Sequence, residues 1–283
     1  MKPAWFDYYA PREFNEALNI LGDAGEDVRV LAGGQSLMPM LNLRVLSAAV
    51  VVDINRIETL NSLRADRDCL TVGALVRHAD LLRSPAVCVG WPLLKEATQQ
   101  VAHMAIRNRG TVCGSICHND PAAEHPSVLA TMGGTVVIAG RAGRRELAAE
   151  EFFTGMLSNA LEPAEMVVEL RYPRPPAGMG SAFVEFARRL GDFAIAGAAA
   201  TLTMRDETCE HARLTILGMG KGPFRAHAAE RTLTGRQLGP KQRKDFLAAP
   251  RQPSTALVSS AQTVRAHQDS CLAVIAPCLS GHS

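Results

Sequence analysis

The sequence predicts an α+β protein, because short stretches with the composition of strands are mixed with stretches of helical periodicity. Apolar residues recur at helical spacing over 13–21, whereas 28–31 and 135–140 are short apolar runs typical of buried strands. The length of 283 residues is compatible with one or two domains, at roughly 100–200 residues each.

The first predicted element is a half-buried helix over 13–21, with Phe14, Ala17, Leu18 and Leu21 on one face. A buried strand follows at 28–31 and leads into the sequence "AGGQS". A second buried strand is predicted over 48–54 and is closed by Asn55 and Arg56. In the stretch 69–75 apolar and polar residues alternate, which is typical of a half-exposed strand.

The middle of the chain is predicted to contain a helix over 93–105, followed by a long segment of turn residues with little periodicity over 107–126. Within that segment Pro121 is suited to the first position of a helix running to about Met132. A strand follows at 135–140.

The stretch 171–180 is the best candidate for a linker, because it is rich in proline and glycine. After it, 193–204 is predicted as a buried strand or helix. Residues 214–225 are predicted as a strand, a glycine turn and a returning strand. The last thirty or so residues have little periodicity.

Composition excludes several classes of function. A net charge of +2 without a basic block argues against nucleic-acid or membrane-surface binding, and 5% aromatic residues argue against a base-stacking surface. The start of the sequence has no apolar signal-peptide core, and 193–204 is too short to span a bilayer. We therefore expect a cytoplasmic protein without a membrane span.

Metal binding is not expected. The seven cysteines are scattered, and the close pair Cys113 and Cys117 lacks the further thiolates that an iron–sulfur cluster needs. His103, His118 and His125 are spaced too loosely for a metal site, and we expect them to face solvent or to orient the loop backbone.

Two glycine-containing loops offer the clearest chemistry. Gly33 and Gly34 leave backbone N–H groups uncovered, Ser36 adds a hydroxyl, and such groups suit a phosphate or diphosphate. The second loop repeats the pattern with Gly110, Thr111, Gly114 and Ser115, and Asn108 lies beside it. Spacing alone leaves open whether these glycines only make turns.

Other interpretations of these glycines have weaker support. There is no G-x-G-x-x-G motif to indicate a Rossmann site, and "GMGKG" at 218–222 is followed by Pro223 where a P-loop needs Lys-Ser/Thr. That stretch is better explained as a hairpin turn. "GQSLM" at 34–38 resembles a nucleophile elbow but has Met38 in place of glycine, so a serine hydrolase using Ser36 remains an alternative.

Asp120 and Glu124 lie near a predicted helix start, and two roles for them remain open. Carboxylates at such a position often cap the helix. A carboxylate beside a nucleotide-binding loop is equally well placed to accept ribose hydroxyls.

Two long motifs in this order resemble the FAD-binding medium subunit of the molybdenum hydroxylases, the family of carbon monoxide, xanthine and N-heterocycle dehydrogenases. They are "AGGQSLMPMLNLR" and "IRNRGTVCGSICHNDPAAEHPSVLATMGGTVVI", and the resemblance extends over about 6–236. It implies an FAD-binding domain of the vanillyl-alcohol-oxidase (PCMH) type over 1–175, with α/β subdomains of about 1–55 and 56–175. A smaller α+β domain over 176–283 would follow, with its last thirty or so residues atypical for the family.

The resemblance also implies which residues bind FAD. "AGGQS" would bind the diphosphate, "TVCGS" would bind it from the other side and approach the flavin, and Glu124 would lie near the adenosine. In "ARRLGDFAIAG" the aromatic Phe193 would lie near the isoalloxazine. The full predicted set is Ala32, Gly33, Gly34, Gln35, Ser36, Leu37, Asn108, Thr111, Val112, Gly114, Ser115, Asp120, Glu124, Asp192 and Phe193. Cys113 departs from the usual glycine and is expected to crowd its turn.

No proton-transferring dyad is evident, as expected if a bound cofactor carries the chemistry. The resemblance implies an electron-transfer subunit that takes electrons from two [2Fe–2S] clusters in a small partner and passes them to an external acceptor. A large partner would hold a molybdopterin-type molybdenum cofactor, and the assembly would be a dimer of heterotrimers. A self-contained flavin oxidase or reductase of the same fold is the alternative.

Overall fold

The computed structural model describes residues 1–238, and its first part is a small parallel sheet with two helices. The elements are β1 (Asp7–Tyr9), α1 (Phe14–Asp23), β2 (Val28–Leu31), α2 (Leu37–Asn42) and β3 (Val50–Asp53). The strand order is β1-β3-β2, with both pairs parallel. Helix α1 buries Ala17, Leu18 and Leu21 as its periodicity predicts, and α2 follows directly after the first glycine loop.

The second part is a five-stranded sheet with a group of helices. In chain order its elements are a 3₁₀ turn (Glu58–Leu60), β4 (Leu63–Ala65), β5 (Cys69–Gly73), α3 (His78–Arg83), α4 (Pro85–Gly90), α5 (Pro92–Gln100), α6 (Met104–Arg107), α7 (Val112–His118), α8 (Glu124–Met132), β6 (Thr135–Gly140), β7 (Gly143–Ala148), α9 (Ala149–Phe152), β8 (Phe153–Gly155), β9 (Ser158–Asn159) and β10 (Met166–Pro173). The sheet order is β4-β5-β10-β6-β7, and β8 pairs with β9 in a separate hairpin.

The third part is an antiparallel sheet with one helix. It contains β11 (Met179–Phe186), β12 (Ala196–Arg205), β13 (Thr208–Leu217), β14 (Phe224–Arg225) and α10 (His227–Leu233), and its strands follow one another in chain order. The pairing of β13 with β14 across 218–223 confirms that "GMGKG" belongs to a hairpin turn.

One hydrophobic core joins the first two parts and reaches the third. It includes Leu21 of α1, Trp91, Leu170 of β10 and Leu217 of β13, each at most 1% exposed. Full burial of a large apolar side chain contributes about 1.5–3 kcal/mol. Helix α8 is buried at every position, because it packs against α5 and α7 on one side and against β12 and β13 on the other.

The segment 107–126, predicted to consist of turns, contains helix α7 instead. Thr111 caps this helix, since its side-chain oxygen accepts a hydrogen bond from the Gly114 amide at 3.1 Å. Val112, Cys113 and Ile116 are buried on one face and drive the helix into the core. Cys113 does not crowd a turn, because its thiol points into the core and donates to the Val72 carbonyl.

Three other expectations need correction. Strand β5 is buried along most of its length rather than half-exposed, because it is an inner strand of the sheet, α7 packs against it, and Leu70 and Val72 belong to the main hydrophobic core. The predicted helix over 93–105 is split into α5 and α6 at Ala102, whose φ is +40°. The helix expected to start at Pro121 begins at Glu124, because Asp120 closes a turn before it.

The sheets change between Asp53 and Leu63, and again between Pro173 and Met179. These changes support the predicted divisions at 55/56 and 175/176, which stay predictions. The linker predicted over 171–180 is shorter in the structure, because 171–173 still belong to β10. The predicted atypical tail lies outside the described residues. Within residues 1–238, no helix has the length and apolar character needed to cross a bilayer.

Candidate functional site

A large cavity lies where the parallel sheet, the five-stranded sheet and the loop before β12 meet. Its volume is about 1080 Å³, slightly above the roughly 300–1,000 Å³ common for ligand pockets. Most of the residues predicted to bind a cofactor line it: Ala32, Gly33, Gly34, Gln35, Ser36, Leu37, Thr111, Gly114, Ser115, Asp120, Glu124, Asp192 and Phe193. Residues separated by up to about 160 positions in the chain are thus brought to one site.

The first glycine loop, loop 1 (32–36), connects β2 to α2 at the carboxyl edge of the parallel sheet. Within residues 1–238, the amides of Gly33, Gly34, Gln35 and Ser36 donate no hydrogen bond. Gly34 has φ of +71°, a conformation that glycine adopts without strain. A row of unpaired amides at the wall of a cavity is the arrangement expected of a diphosphate site.

The second glycine loop, loop 2 (109–115), differs from loop 1 because its amides are partly used inside the protein. The Gly114 amide donates to Thr111 Oγ1, and the Ser115 amide donates to the Thr111 carbonyl at 3.1 Å. The Gly114 amide is therefore a helix-cap donor, in contrast to the free donor that the sequence predicts. Thr111, Gly114 and Ser115 still line the cavity.

Two predicted residues, Asn108 and Val112, are not brought to the cavity with the others, and their role in cofactor binding stays a prediction. Asn108 is exposed at the end of α6, and its side-chain oxygen accepts from Arg83 at 3.4 Å. Val112 is fully buried in the core, and its amide donates to the Val76 carbonyl. Their neighbours in loop 2 reach the site, whereas these two side chains point elsewhere.

Loops 1 and 2 pack directly against each other. A Cβ placed on Gly33 would lie 2.7 Å from the Arg109 carbonyl oxygen, 2.7 Å from Gly110 Cα and 2.9 Å from the Thr111 nitrogen. Only glycine permits this approach of two backbones. The glycine at 33 therefore sets how closely the loops converge.

The two carboxyl groups at the start of α8 have different environments. Asp120 accepts a hydrogen bond from the Ala122 amide at 2.8 Å, so its side chain closes a turn while it lines the cavity. Glu124 is the first residue of α8, and burial raises the pKa of its carboxyl to about 8. At neutral pH Glu124 is mostly protonated, so its carboxyl can donate a hydrogen bond as well as accept one.

Asp192 and Phe193 lie in the loop between β11 and β12, at the mouth of the cavity. The Phe193 ring is 76% exposed. The loop is held against the segment before α6, because Gly191 packs its backbone against the His103 ring and the Ala102 carbonyl.

The histidines near loop 2 do not share one environment. His103 and His118 line the cavity, but His125 is fully buried, contrary to the expectation that it faces solvent or orients the loop. Its Nε2 lies 3.0 Å from Nδ1 of His78, and burial lowers the pKa of His78 to about 4. Among residues 1–238, no group of three or more His, Cys, Asp and Glu side chains is arranged to hold a metal ion.

The sequence interpretation missed one wall of the cavity and the residues that brace its loops. The segment 161–167, which leads into β10, forms this wall. Its only local signal is Glu162-Pro163, which indicates a turn without indicating a ligand. Asn55 and Arg77 bond to the two loops from outside the cavity, and neither belongs to a motif.

Ser36 lacks the geometry of a catalytic nucleophile. It lies at the start of α2, and within the described part of the chain its hydroxyl makes no hydrogen bond to a histidine. A serine nucleophile needs a base within hydrogen-bond reach. The structure therefore gives the hydrolase alternative no support.

The family comparisons agree with the site. Residues 4–175 match the family model described as the FAD binding domain in molybdopterin dehydrogenase, and residues 181–269 match the CO dehydrogenase flavoprotein C-terminal domain. The chain is 43% identical over 240 residues to the caffeine dehydrogenase subunit beta of Pseudomonas sp. (strain CBB1), covering 84% of this chain and 81% of that protein. It is 34% identical over 269 residues to the carbon monoxide dehydrogenase medium chain of Hydrogenophaga pseudoflava, covering 95% and 92%.

Solved structures show the same fold. The chain matches the carbon monoxide dehydrogenase of Hydrogenophaga pseudoflava with a TM-score of 0.89 at 34% identity, and 99% of each chain is covered. It matches the quinoline 2-oxidoreductase of Pseudomonas putida 86 with a TM-score of 0.89 at 32% identity, again over 99% of each chain.

Proposed function

This chain belongs to the family of FAD-binding medium subunits of molybdopterin dehydrogenases, and from that premise we propose that it is the electron-transfer flavoprotein subunit of a heteromeric molybdenum hydroxylase. The observation that carries the proposal is the row of unpaired loop 1 amides at the wall of a cavity of about 1080 Å³. Four adjacent free donors in a cavity of that size suit the diphosphate of a dinucleotide.

Different groups of cavity-lining residues would bind different parts of FAD. Loop 1 would bind the diphosphate, with Thr111 and Ser115 on the opposite side. Glu124, protonated at neutral pH, would hydrogen-bond the adenosine half, and Asp192 and Phe193 would lie near the isoalloxazine; all of these residues line the cavity. When bound, FAD supplies exchange of single electrons and of electron pairs, so the protein's part is placement and electrostatics.

The subunit works with two partners in the cytoplasm. A large subunit holds the molybdenum cofactor and oxidises the organic substrate, and a small subunit with two [2Fe–2S] clusters conducts the electrons to this chain. Relatives named as a medium chain or a lettered subunit of dehydrogenases support such an assembly, which we propose is a dimer of heterotrimers. An external acceptor then takes the electrons.

The test is to purify the chain alone and together with its partner subunits, and to follow the flavin absorbance. Alone, the chain is expected to bind added FAD and turn yellow, without bleaching when caffeine or carbon monoxide is added under anaerobic conditions. The complex is expected to contain molybdenum and iron, and to bleach with a substrate drawn from those that the relatives' names specify.

Two outcomes would overturn the proposal. Substrate-driven bleaching of the isolated chain would favour a self-contained flavin oxidase or reductase. A chain that stays colourless with excess FAD and has esterase activity that Ser36→Ala abolishes would favour a hydrolase.

A further inference from the structure

Two polar residues outside the cavity connect loop 1 to loop 2. Asn55 follows β3, and Arg77 immediately precedes α3. Both are partly buried, and neither lines the cavity. Their side chains nevertheless bond to the backbone of both loops, so they touch the site only through these loops.

Asn55 holds loop 1. Its side-chain nitrogen donates to the Ala32 carbonyl at 2.8 Å and to Asp53 Oδ1 at 2.6 Å. Asp53 is itself held by the Tyr8 hydroxyl, which donates to Oδ2 at 2.6 Å. The Asn55 amide therefore has a fixed orientation, with its oxygen directed away from loop 1.

Arg77 completes the connection to loop 2. One guanidinium nitrogen donates to Asn55 Oδ1 at 2.6 Å, and another donates to the Arg109 carbonyl at 2.5 Å. The backbone next to Arg77 is tied to loop 2 as well, since the His78 amide donates to the Gly110 carbonyl at 3.1 Å. The planar fork of arginine is needed to reach two acceptors at once.

We propose that Asn55 and Arg77 form a brace that fixes the distance between loops 1 and 2, and so act as positioning residues for FAD. The brace rests on the proposed function, because its purpose is to make the donors of both loops converge on one diphosphate. The direct contact at Gly33 limits how closely the loops approach, and the brace limits how far they separate. Donor positions must be held within about 0.5 Å to bind a ligand well.

The brace predicts a result that a simple charge effect does not. If Arg77 acted through its positive charge, lysine would preserve FAD affinity. Because lysine presents a single ammonium group, it cannot bridge Asn55 Oδ1 and the Arg109 carbonyl in the same way. Arg77→Lys is therefore expected to weaken FAD binding about as much as Arg77→Met.

The experiment measures the dissociation constant of FAD for the full-length chain and for Asn55→Ala, Arg77→Lys, Arg77→Met and the double variant Asn55→Ala/Arg77→Met. Each single variant is expected to bind FAD about 10- to 100-fold more weakly, the effect of losing a hydrogen bond that orients the site. The dissociation constant of the double variant is expected to be little higher than that of the single variant with the lower affinity, because both residues act through one connection.

Arg64→Met is the matched control, since Arg64 is exposed on β4 and its side chain has no hydrogen bond within residues 1–238. It is expected to bind FAD as the unmodified chain does. Thermal unfolding of each FAD-free variant shows whether it is folded, and if Arg77→Met is not, Arg77→Lys and Asn55→Ala decide the question.

Unmodified affinity in Arg77→Lys, or effects that multiply in the double variant, would overturn the brace while leaving the proposed function in place. Failure of the unmodified chain to bind FAD would instead overturn the proposed function together with the brace.

Discussion

Replacing Gly33 by alanine tests whether the close approach of the two loops creates the diphosphate site. The new Cβ would lie 2.7 Å from the Arg109 carbonyl oxygen and from Gly110 Cα, whereas ordinary contact begins at 3.4 Å. All three nearest atoms are backbone atoms, so no side chain can rotate away. The loops must separate by about 0.7 Å, more than the roughly 0.5 Å that a preorganised site tolerates.

The expected loss of affinity follows from that displacement. A hydrogen bond of about 2.9 Å between an amide and a phosphate oxygen would lengthen to about 3.6 Å, which is no longer a hydrogen bond. Each hydrogen bond to a charged group contributes about 1.5–3 kcal/mol, so losing one weakens FAD binding by about 10- to 150-fold. Crowding of this kind also costs the FAD-free chain about 1–3 kcal/mol of unfolding free energy.

The assay is titration of the FAD-free chain by flavin fluorescence, with circular dichroism to verify folding. Gly90→Ala is the matched control, because a Cβ there meets only one arginine nitrogen at 3.8 Å. It is expected to leave FAD affinity unchanged. Unchanged affinity in a folded Gly33→Ala variant would refute the convergence of the two loops on one diphosphate.

Four further predictions concern single side chains. Gly34→Val is expected to abolish FAD retention while leaving most of the core folded, because valine is strained at φ of +71° and would crowd the approach of a ligand; normal flavin content would contradict this. Phe193→Ala is expected to change the rate of flavin reoxidation more than FAD affinity, since the ring is 76% exposed at the cavity mouth, and an unchanged rate in stopped-flow measurements would count against it. Glu124→Gln removes a carboxyl whose pKa burial raises from 4.5 to about 8. Because the folded chain holds that proton more tightly than the unfolded chain, stability falls as the pH rises from about 4.5 to 8, and the variant should flatten that part of the profile of thermal midpoint against pH. Glu230→Ala removes the buried partner of Arg225, whose side chain is 8% exposed, and leaves the more exposed Glu150 paired with it, so we expect a cost of about 1.5–3 kcal/mol in urea denaturation. Glu210→Ala, in a pair with the exposed Arg205, should cost at most about 1 kcal/mol.

The sequence predicts well the elements whose burial follows from a pattern of apolar residues within the element itself. Helix α1 follows the spacing of Leu18 and Leu21, and β6 follows an uninterrupted apolar run. The sequence does not predict helix α7, because Gly114 and two polar residues interrupt its apolar face and because its N-cap, Thr111, is equally typical of a loop. Its stability comes from contacts with β5 and β10, which no local pattern contains.

In the candidate site, too, the sequence predicts residues that belong to a local motif and does not predict residues that only the fold brings together. The residues of loop 1 and the carboxyl groups near α8 were predicted, since glycine and acidic residues in these motifs are informative by themselves. In the sequence, Asn55 marks only the end of a strand, and Arg77 belongs to no motif. The residues that these side chains connect lie 22 to 32 positions apart, so a single sequence cannot show that they meet.

The two glycine loops look alike in sequence but differ in what they can offer a ligand. Loop 2 uses the Gly114 and Ser115 amides to start α7, whereas the adjacent amides of loop 1 are satisfied by nothing within residues 1–238. A buried donor left unpaired costs about 1–3 kcal/mol, and of the four loop 1 amides that of Gly33 belongs to a buried residue while the other three belong to partly exposed ones, so solvent or a ligand at the cavity wall must satisfy them. This asymmetry supports the proposal that loop 1 is the main anion-binding element and that loop 2 closes the site against it. Apart from Gly33, where a side chain would also crowd loop 2, substitutions in loop 1 should therefore weaken FAD binding more than they destabilise the fold, and the opposite order should hold for Thr111.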